Sequence, residues 1–301
     1  MTRDAIPYTT RGKTETKKNM ENERADWKAR FREVFKTARP IIGMVHLKPL
    51  PGAPRYDAAG GMKKIVDAAL YDAEQLVEGG IDAIQIENQW DRPWQKPEEI
   101  GPETTAAVAA VAARLKAAFR SPMGVTVHLN GVMQALAAAV ATECSFIRAF
   151  ELANAYIANA GIVEAAGPRL MRYRAALGAE KIMVFGDFHV KHGSHLITSD
   201  RSIAEQAEDV ETALGDAVII TGIKTGTPPG KDDISMIKKA VSLPVLIGSG
   251  LSAGNLKELL PMVDGAVAGS SFKVDGVLSN PVDRARVKAF MEKVREIRGK
   301  D

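Results

Sequence analysis

The stretch FGDFHVKHGSHL (185–196) carries three of the chain's five histidines, His189, His192 and His195, at a spacing of three and just behind Asp187. Histidine and aspartate in this pattern suit a metal site, an acid/base cluster working near neutral pH, or a polar loop. The direction in which the backbone points the side chains decides among the three. The remaining histidines, His46 and His128, follow the apolar runs IIGMV and GVTV. All five therefore lie at or just beyond the end of a β-rich run, and none falls in a helical stretch. The elements that carry them come next.

After Pro40, short apolar runs alternate with stretches rich in Ala, Leu, Lys and Glu. Eight runs read as strands: 41–46, 82–88, 124–130, 145–150, 181–189, 217–222, 244–250 and 265–272. Helical segments such as MKKIVDAALYDAEQLVEGG and TTAAVAAVAARLKAAF separate them. Repeated βα units predict a parallel sheet, and the roughly 260 residues involved suit a (β/α)₈ TIM barrel of the phosphate-binding type. A doubly wound open sheet is the alternative, but no G-x-G-x-x-G follows the first run. The domain expectation is a flexible N-terminal extension with a helix over 1–38 and a barrel over 39–301. Within the extension, ENERADWKARFREVF (21–35) places Trp27, Phe31 and Phe35 one turn apart and reads as a helix packing on the barrel.

In a closed barrel, one parity of each strand faces the helices and the other faces the interior, where polar residues gather at the C-terminal mouth. Ile84 and Ile86 then face outward and Gln85 and Glu87 inward; Thr126 and His128, Arg148, and Asp187 with His189 follow the same rule, as does His46 with Ile42 and Met44. Thr221 sits at the same mouth. The polar side chains of several strands thus converge at one end.

IGSG (247–250) and AGSSF (268–272) close the seventh and eighth runs. In many barrels these loops bind phosphate through backbone N–H groups, so Gly248, Ser249, Gly250, Gly269, Ser270 and Ser271 are the expected phosphate contacts, with Lys273 adding charge. TGIKTGTPPGKDD (221–233), with Lys224 and Lys231, reads as a lid or a surface connection. The loop HLKPLPGAPRY offers Lys48 and Arg55 to an anion.

Forty basic and 37 acidic residues leave a net charge of +3 with no interleaved basic and aromatic face, which argues against nucleic acid. The single Cys144 excludes an internal disulfide and reads as a small buried residue. No apolar run approaches the roughly 20 residues that span a bilayer, and the charges around Lys28, Arg30, Arg32 and Lys36 are offset by Glu23, Asp26 and Glu33. A cytoplasmic location is expected. Peripheral membrane contact and homo-oligomerisation stay open.

GMVHLKPLPGAPRY, GGIDAIQIEN, the FIR strand, GDFHVKH, TGIKTGTPP, VLIGSGL and VAGSSFKVDG, in this order from about residue 40 to the C-terminus, resemble the BtpA family, also called BtpA/SgcQ. The resemblance implies a phosphate-binding TIM barrel. It also implies kinship with a protein of photosystem I biogenesis or stability that associates peripherally with membranes, although other members occur in non-photosynthetic bacteria and archaea. It carries over His46, Glu87, Asp187, His189 and Lys191 as site residues and Gly248, Gly250, Gly269 and Ser270 as phosphate-loop residues. The segment AFELANAYIANAGIVEAAG (149–167) departs from the family's pattern.

The expectation is an enzyme acting on a small phosphorylated metabolite, a sugar phosphate or a nucleoside-derived compound, by isomerase, epimerase or lyase chemistry. Glu87 or Asp187 would be the base, His128 or His189 the acid or base, and Arg148 or Lys191 the oxyanion partner. No cofactor is assigned, and a divalent metal is kept as an option. A divalent metal on His46, His128, Asp187 and His189 would instead make a hydrolase. The alternative from another class is a non-catalytic assembly or stability factor for a membrane complex.

Overall fold

A computed structural model of the chain describes residues 27–222 and 228–299. Lys224, Glu23 and Asp26 lie outside them, as does the expected flexible segment up to residue 20.

Eight strands, β1 (Ile41–His46), β2 (Ala83–Glu87), β3 (Met123–Thr126), β4 (Phe146–Ala149), β7 (Met183–Asp187), β8 (Ala217–Ile220), β9 (Val245–Ile247) and β10 (Gly265–Ala268), pair in parallel into a closed barrel. The order runs β1-β10-β9-β8-β7-β4-β3-β2, so β1 pairs with both β2 and β10, and the open-sheet alternative falls away. Helices α2 (Gly61–Glu78), α3 (Pro102–Ala118), α4 (Val132–Ala141), α5 (Gly167–Ala176), α6 (Ile203–Thr212), α7 (Lys231–Ala240), the short α8 (Leu256–Leu259) and α9 (Arg284–Arg298) follow the strands in turn.

Alternation sorts the side chains as a barrel demands. Val45, Ile84, Ile86, Val125, Ile147, Val184 and Val218 join the outer apolar cluster with the helices. Ile42, Met44, Ala83, Phe146, Met183, Phe185, Ile219 and Leu246 form a separate cluster inside. Gly124 stands opposite Phe146, and a Cβ there would lie 2.1 Å from the Phe146 ring, so this strand position must be glycine for the ring to fill the interior.

The N-terminal helix, α1, spans residues 27–35 and closes the floor. Phe31 and Phe35 are buried in the inner cluster, with Phe35 5.7 Å from Phe146 and 6.3 Å from Phe185 by ring centroids. Arg30 ties the helix to Asp216, just before β8, at 2.8 Å. Rings this size seal a barrel end that strand side chains alone leave open.

One element has no counterpart in the alternating pattern. Between β4 and α5, within 149–167, the chain makes an antiparallel hairpin of β5 (Ala155–Ala158) and β6 (Gly161–Glu164). Ile157 bridges to Ser194, which fastens the hairpin over the loop after β7. Tyr156 and Val163 turn inward with Leu129, Phe150 and Val190 to build a small apolar cluster at the C-terminal mouth. Cys144 is buried, as expected of a small apolar residue, with its sulfur 3.3 Å from the Thr142 hydroxyl. Among the described residues, no helix is long and apolar enough to cross a membrane.

Candidate active site at the barrel mouth

A cavity of about 430 Å³ opens at the C-terminal ends of the strands. Its floor is set by register. His46 and Glu87 are partners across the β1–β2 ladder, so two inward side chains of adjacent strands meet at one level. Glu87 Oε1 lies 3.1 Å from His128 Nε2 and 3.9 Å from His46 Nε2, and the three side chains are between 6% and 9% exposed. Burial alone would raise the Glu87 carboxyl, but His128, then His46 and Arg148, bring it down to about 2. His46 moves the other way from its ordinary value: burial, with Lys273 and His128 adding to it against Glu87, lowers it to about 4. At neutral pH the pair is an ionised carboxylate beside a neutral imidazole.

His128 is clamped by its neighbours. Its backbone N–H donates to Asn88 Oδ1 (2.6 Å), and its ring is stacked between Trp94 (4.3 Å, 13°) and Phe150 (4.5 Å, 18°). Arg92 covers the Trp94 ring at 4.8 Å and Arg148 covers Phe150 at 5.2 Å, giving a column of guanidinium, indole, imidazole, phenyl and guanidinium. Only the edge of the imidazole is left for chemistry. Gln89 satisfies its surroundings with its amide nitrogen 2.8 Å from Glu87 Oε1 and its oxygen toward Arg92.

Arg148 on β4 and Asp187 on β7 form a buried two-pronged pair, Nε to Oδ1 at 2.6 Å and Nη2 to Oδ2 at 2.7 Å. Burial pushes the Asp187 carboxyl up, opposed by Arg148. Behind it, Glu151 is fully buried and raised well above the carboxylate range by burial and by Asp187. Asp187 therefore holds Arg148 in place, with both of its oxygens engaged by the guanidinium. Below this layer Gln85 donates to Thr126 at 2.5 Å, both completely buried in the barrel interior as their parity predicts.

The expectation for His189 is corrected. β7 ends at Asp187, the chain turns through a positive φ of 52° at His189, and the ring is exposed, stacked on His195 at 4.1 Å, outside the cavity wall. Lys191 and His192 line the cavity instead. The four-residue metal set is not assembled, because His189 is elsewhere and Asp187 is bound to Arg148; among the described residues no group of three or more His, Cys, Asp or Glu is placed to hold an ion.

Gly248, Ser249 and Gly250 after β9 and Gly269, Ser270 and Ser271 after β10 all line the same cavity. A Cβ at Gly248 would lie 2.8 Å from Arg148 Nη2, and one at Gly269 3.1 Å from His46 Cε1, so both glycines make room for functional side chains. Gly250 takes a φ of 84°, which favours glycine. Ser271 spends its hydroxyl on the Leu251 carbonyl (2.7 Å), whereas Ser249 Oγ is buried without a partner among the described residues. Lys273 is corrected too: it turns out of the mouth to Asp72 of α2 at 2.6 Å. Lys48 and Arg55 are exposed and outside the cavity wall, Lys231 pairs with Glu258, and Thr221 packs beside Gly248. The residues missed from sequence are the wall: Trp94, Phe150, Tyr156, Gln89 and Arg92.

A model of the BtpA family matches residues 37–296, and proteins described below align along most of their length. The chain belongs to the BtpA family. Among its BtpA-family relatives, an uncharacterized protein of Thermococcus kodakarensis is 37% identical over 260 residues, covering 86% of this chain and 97% of that one. The photosystem I biogenesis protein BtpA of Synechocystis sp. is 32% identical over 265 residues, covering 88% and 91%. In fold, this BtpA-family barrel is similar to a structure described as native KDPGal (TM-score 0.53, 15% identity, 86% and 95% covered). It is also similar to N-(5′-phosphoribosyl)anthranilate isomerase of Pyrococcus furiosus (0.51, 13%, 86% and 99%) and to Mycobacterium tuberculosis tryptophan synthase (0.54, 15%, 93% and 96%). At these identities the likeness is one of fold: a TIM barrel.

Proposed function

We propose that the mouth is the active site of an enzyme that performs acid/base chemistry on a small phosphorylated metabolite, of the isomerase, epimerase or lyase kind. The observation that carries this reading is the meeting in one cavity of the His46–Glu87–His128 cluster, the Arg148 guanidinium and the glycine and serine loops of the last two barrel strands. The phosphate would sit on the 248–250 and 269–271 backbone, with Ser249 Oγ as an added donor. His128 is the proton carrier; Glu87, ionised and hydrogen-bonded to it, fixes its ring. His46, neutral at physiological pH, is the second acid/base group. Arg148 stabilises an oxyanion, with Asp187 as its positioning residue.

Calorimetric titration with inorganic phosphate and a panel of sugar phosphates tests the reading. Gly248→Ala, which drives a methyl group toward Arg148, is expected to weaken binding by about tenfold or more, a loss of roughly 1.4 kcal/mol. Absence of binding by every phosphorylated compound in the panel, or unchanged affinity in G248A, would refute it.

The name of the Synechocystis relative supports a second reading, an assembly factor for a membrane complex. The mouth rim adds exposed apolar residues, Ile157, Ile162, Leu196 and Ile197, as surface for such contacts. A variant with Glu87→Gln and Arg148→Met that fully complements a deletion strain would favour this reading over the enzyme.

A further inference from the structure

We propose that Lys191 is a nucleophilic amine and that the substrate is a phosphorylated aldehyde or ketone, which Lys191 captures as an imine. This rests on the reading of the mouth as a phosphometabolite site and deepens it.

The argument is one of placement. Beyond β7 the positive-φ turn at His189 sends that ring to solvent and brings Val190 and Lys191 to the cavity wall. Lys191 has no carboxylate within ion-pairing distance among the described residues. The two carboxylates of the site are committed elsewhere, Asp187 to Arg148 through both oxygens and Glu87 to His128 and His46. Two other lysines near strand ends behave differently: Lys273 pairs with Asp72 and Lys238 with Asp264. Lys191 shares the cavity lining with Phe150, Tyr156 and Val190 and feels the positive charge of Arg148 as well as the more weakly acting carboxylates Glu87 and Asp187. Desolvation, and Arg148 next, lower its pKa from the ordinary lysine value against the pull of Glu87 and Asp187. An amine half-buried beside a second cation and free of a counter-ion is the environment that raises the neutral, nucleophilic form.

The step balances without an added reagent. The Nζ lone pair adds to the carbonyl carbon and the C=O π pair moves to oxygen, which takes one proton from His128 in its acid form, while the nitrogen passes one of its own protons to the same oxygen through the histidine. The carbinolamine then loses that oxygen as water, leaving a protonated imine. The imine withdraws electrons from the neighbouring C–H or C–C bond, whose proton or carbon fragment departs with the help of His128 or His46. Both histidines line the same cavity, and Lys191 and His46 are within electrostatic reach of each other. The phosphate loops anchor the other end of the substrate.

The test uses the full chain with dihydroxyacetone phosphate, or with pyridoxal 5′-phosphate as a second phosphorylated carbonyl, in the presence of sodium cyanoborohydride, followed by peptide mapping. Lys191 should be the dominant labelled lysine, because the phosphate loops hold the carbonyl in the cavity that Lys191 lines. Millimolar inorganic phosphate should suppress the label. Lys191→Arg should abolish it, whereas Lys48→Arg, on the exposed loop after β1, should leave it unchanged. Labelling spread evenly over surface lysines, or Lys191 labelling that phosphate does not suppress, would overturn the proposal. Phosphate binding with no Lys191 adduct would sink the imine alone and leave the phosphometabolite reading standing. Loss of phosphate binding as well would sink both.

Discussion

His46 links the site to the stability of the whole barrel. Its imidazole is all but buried, and burial lowers its pKa from 6.5 to about 4. Between those two values the unfolded chain binds a proton that the native protein refuses, so stability falls as pH falls. The drop from 6.5 to about 4, at about 1.4 kcal/mol per unit, is worth about 3 kcal/mol, fully present above 6.5 and lost by about pH 4. Going from about pH 7.5 to about pH 5 covers the part between 6.5 and 5, or about 2 kcal/mol. Glu87 acts later, since its carboxyl falls from 4.5 to about 2 and its share is lost only below 4.5. His46→Gln removes the titrating group and keeps a polar side chain. Urea unfolding of wild type and variant at the two pH values gives the comparison, with any constant cost of the substitution cancelling. The wild type should lose about 2 kcal/mol more than His46→Gln on acidification. Equal losses in the two proteins would refute the assignment of a neutral, proton-refusing His46.

Two further outcomes follow from the packing. Asp187→Asn leaves Arg148 buried without its counter-charge and should cost about 3–5 kcal/mol in urea unfolding, while Arg148→Met combined with Asp187→Leu should cost less than either single change; a single-variant cost under about 1 kcal/mol would contradict the buried pair. Phe35→Ala empties part of the ring cluster at the barrel floor and should cost about 3–5 kcal/mol, with phosphate affinity at the opposite end unchanged; a midpoint close to wild type would show that α1 does not seal the barrel.

The barrel and its inward polar set were legible because both rest on local alternation. Every second residue of IIGMVH, AIQIE and MVFGD faces the interior, so His46, Glu87 and Asp187 could be placed before any contact was known. The glycine loops were legible for a similar reason, as they follow directly from the ends of β9 and β10. Parity stopped being a guide where the strands stopped. His189 lies two residues past β7 and is turned outward by its own φ, and Lys273 lies past a 3-10 turn after β10 that swings it to Asp72.

Composition and periodicity by themselves determined that this chain builds eight βα units and places His46, Glu87, Arg148 and Asp187 on the inward parity near the ends of their strands, because strand alternation is a property of the chain within a few residues; closure of the sheet came from the β1–β10 pairing. Only the tertiary structure decided which of these groups hold one another. The Arg148–Asp187 pair spans a hairpin insertion, the stacked column around His128 draws Trp94 and Phe150 from two separate loops, and the pairing of Glu87 with both histidines depends on barrel register. Contacts between residues this far apart in sequence are set by how strands are staggered and how loops fold back over the mouth, and no local period encodes that.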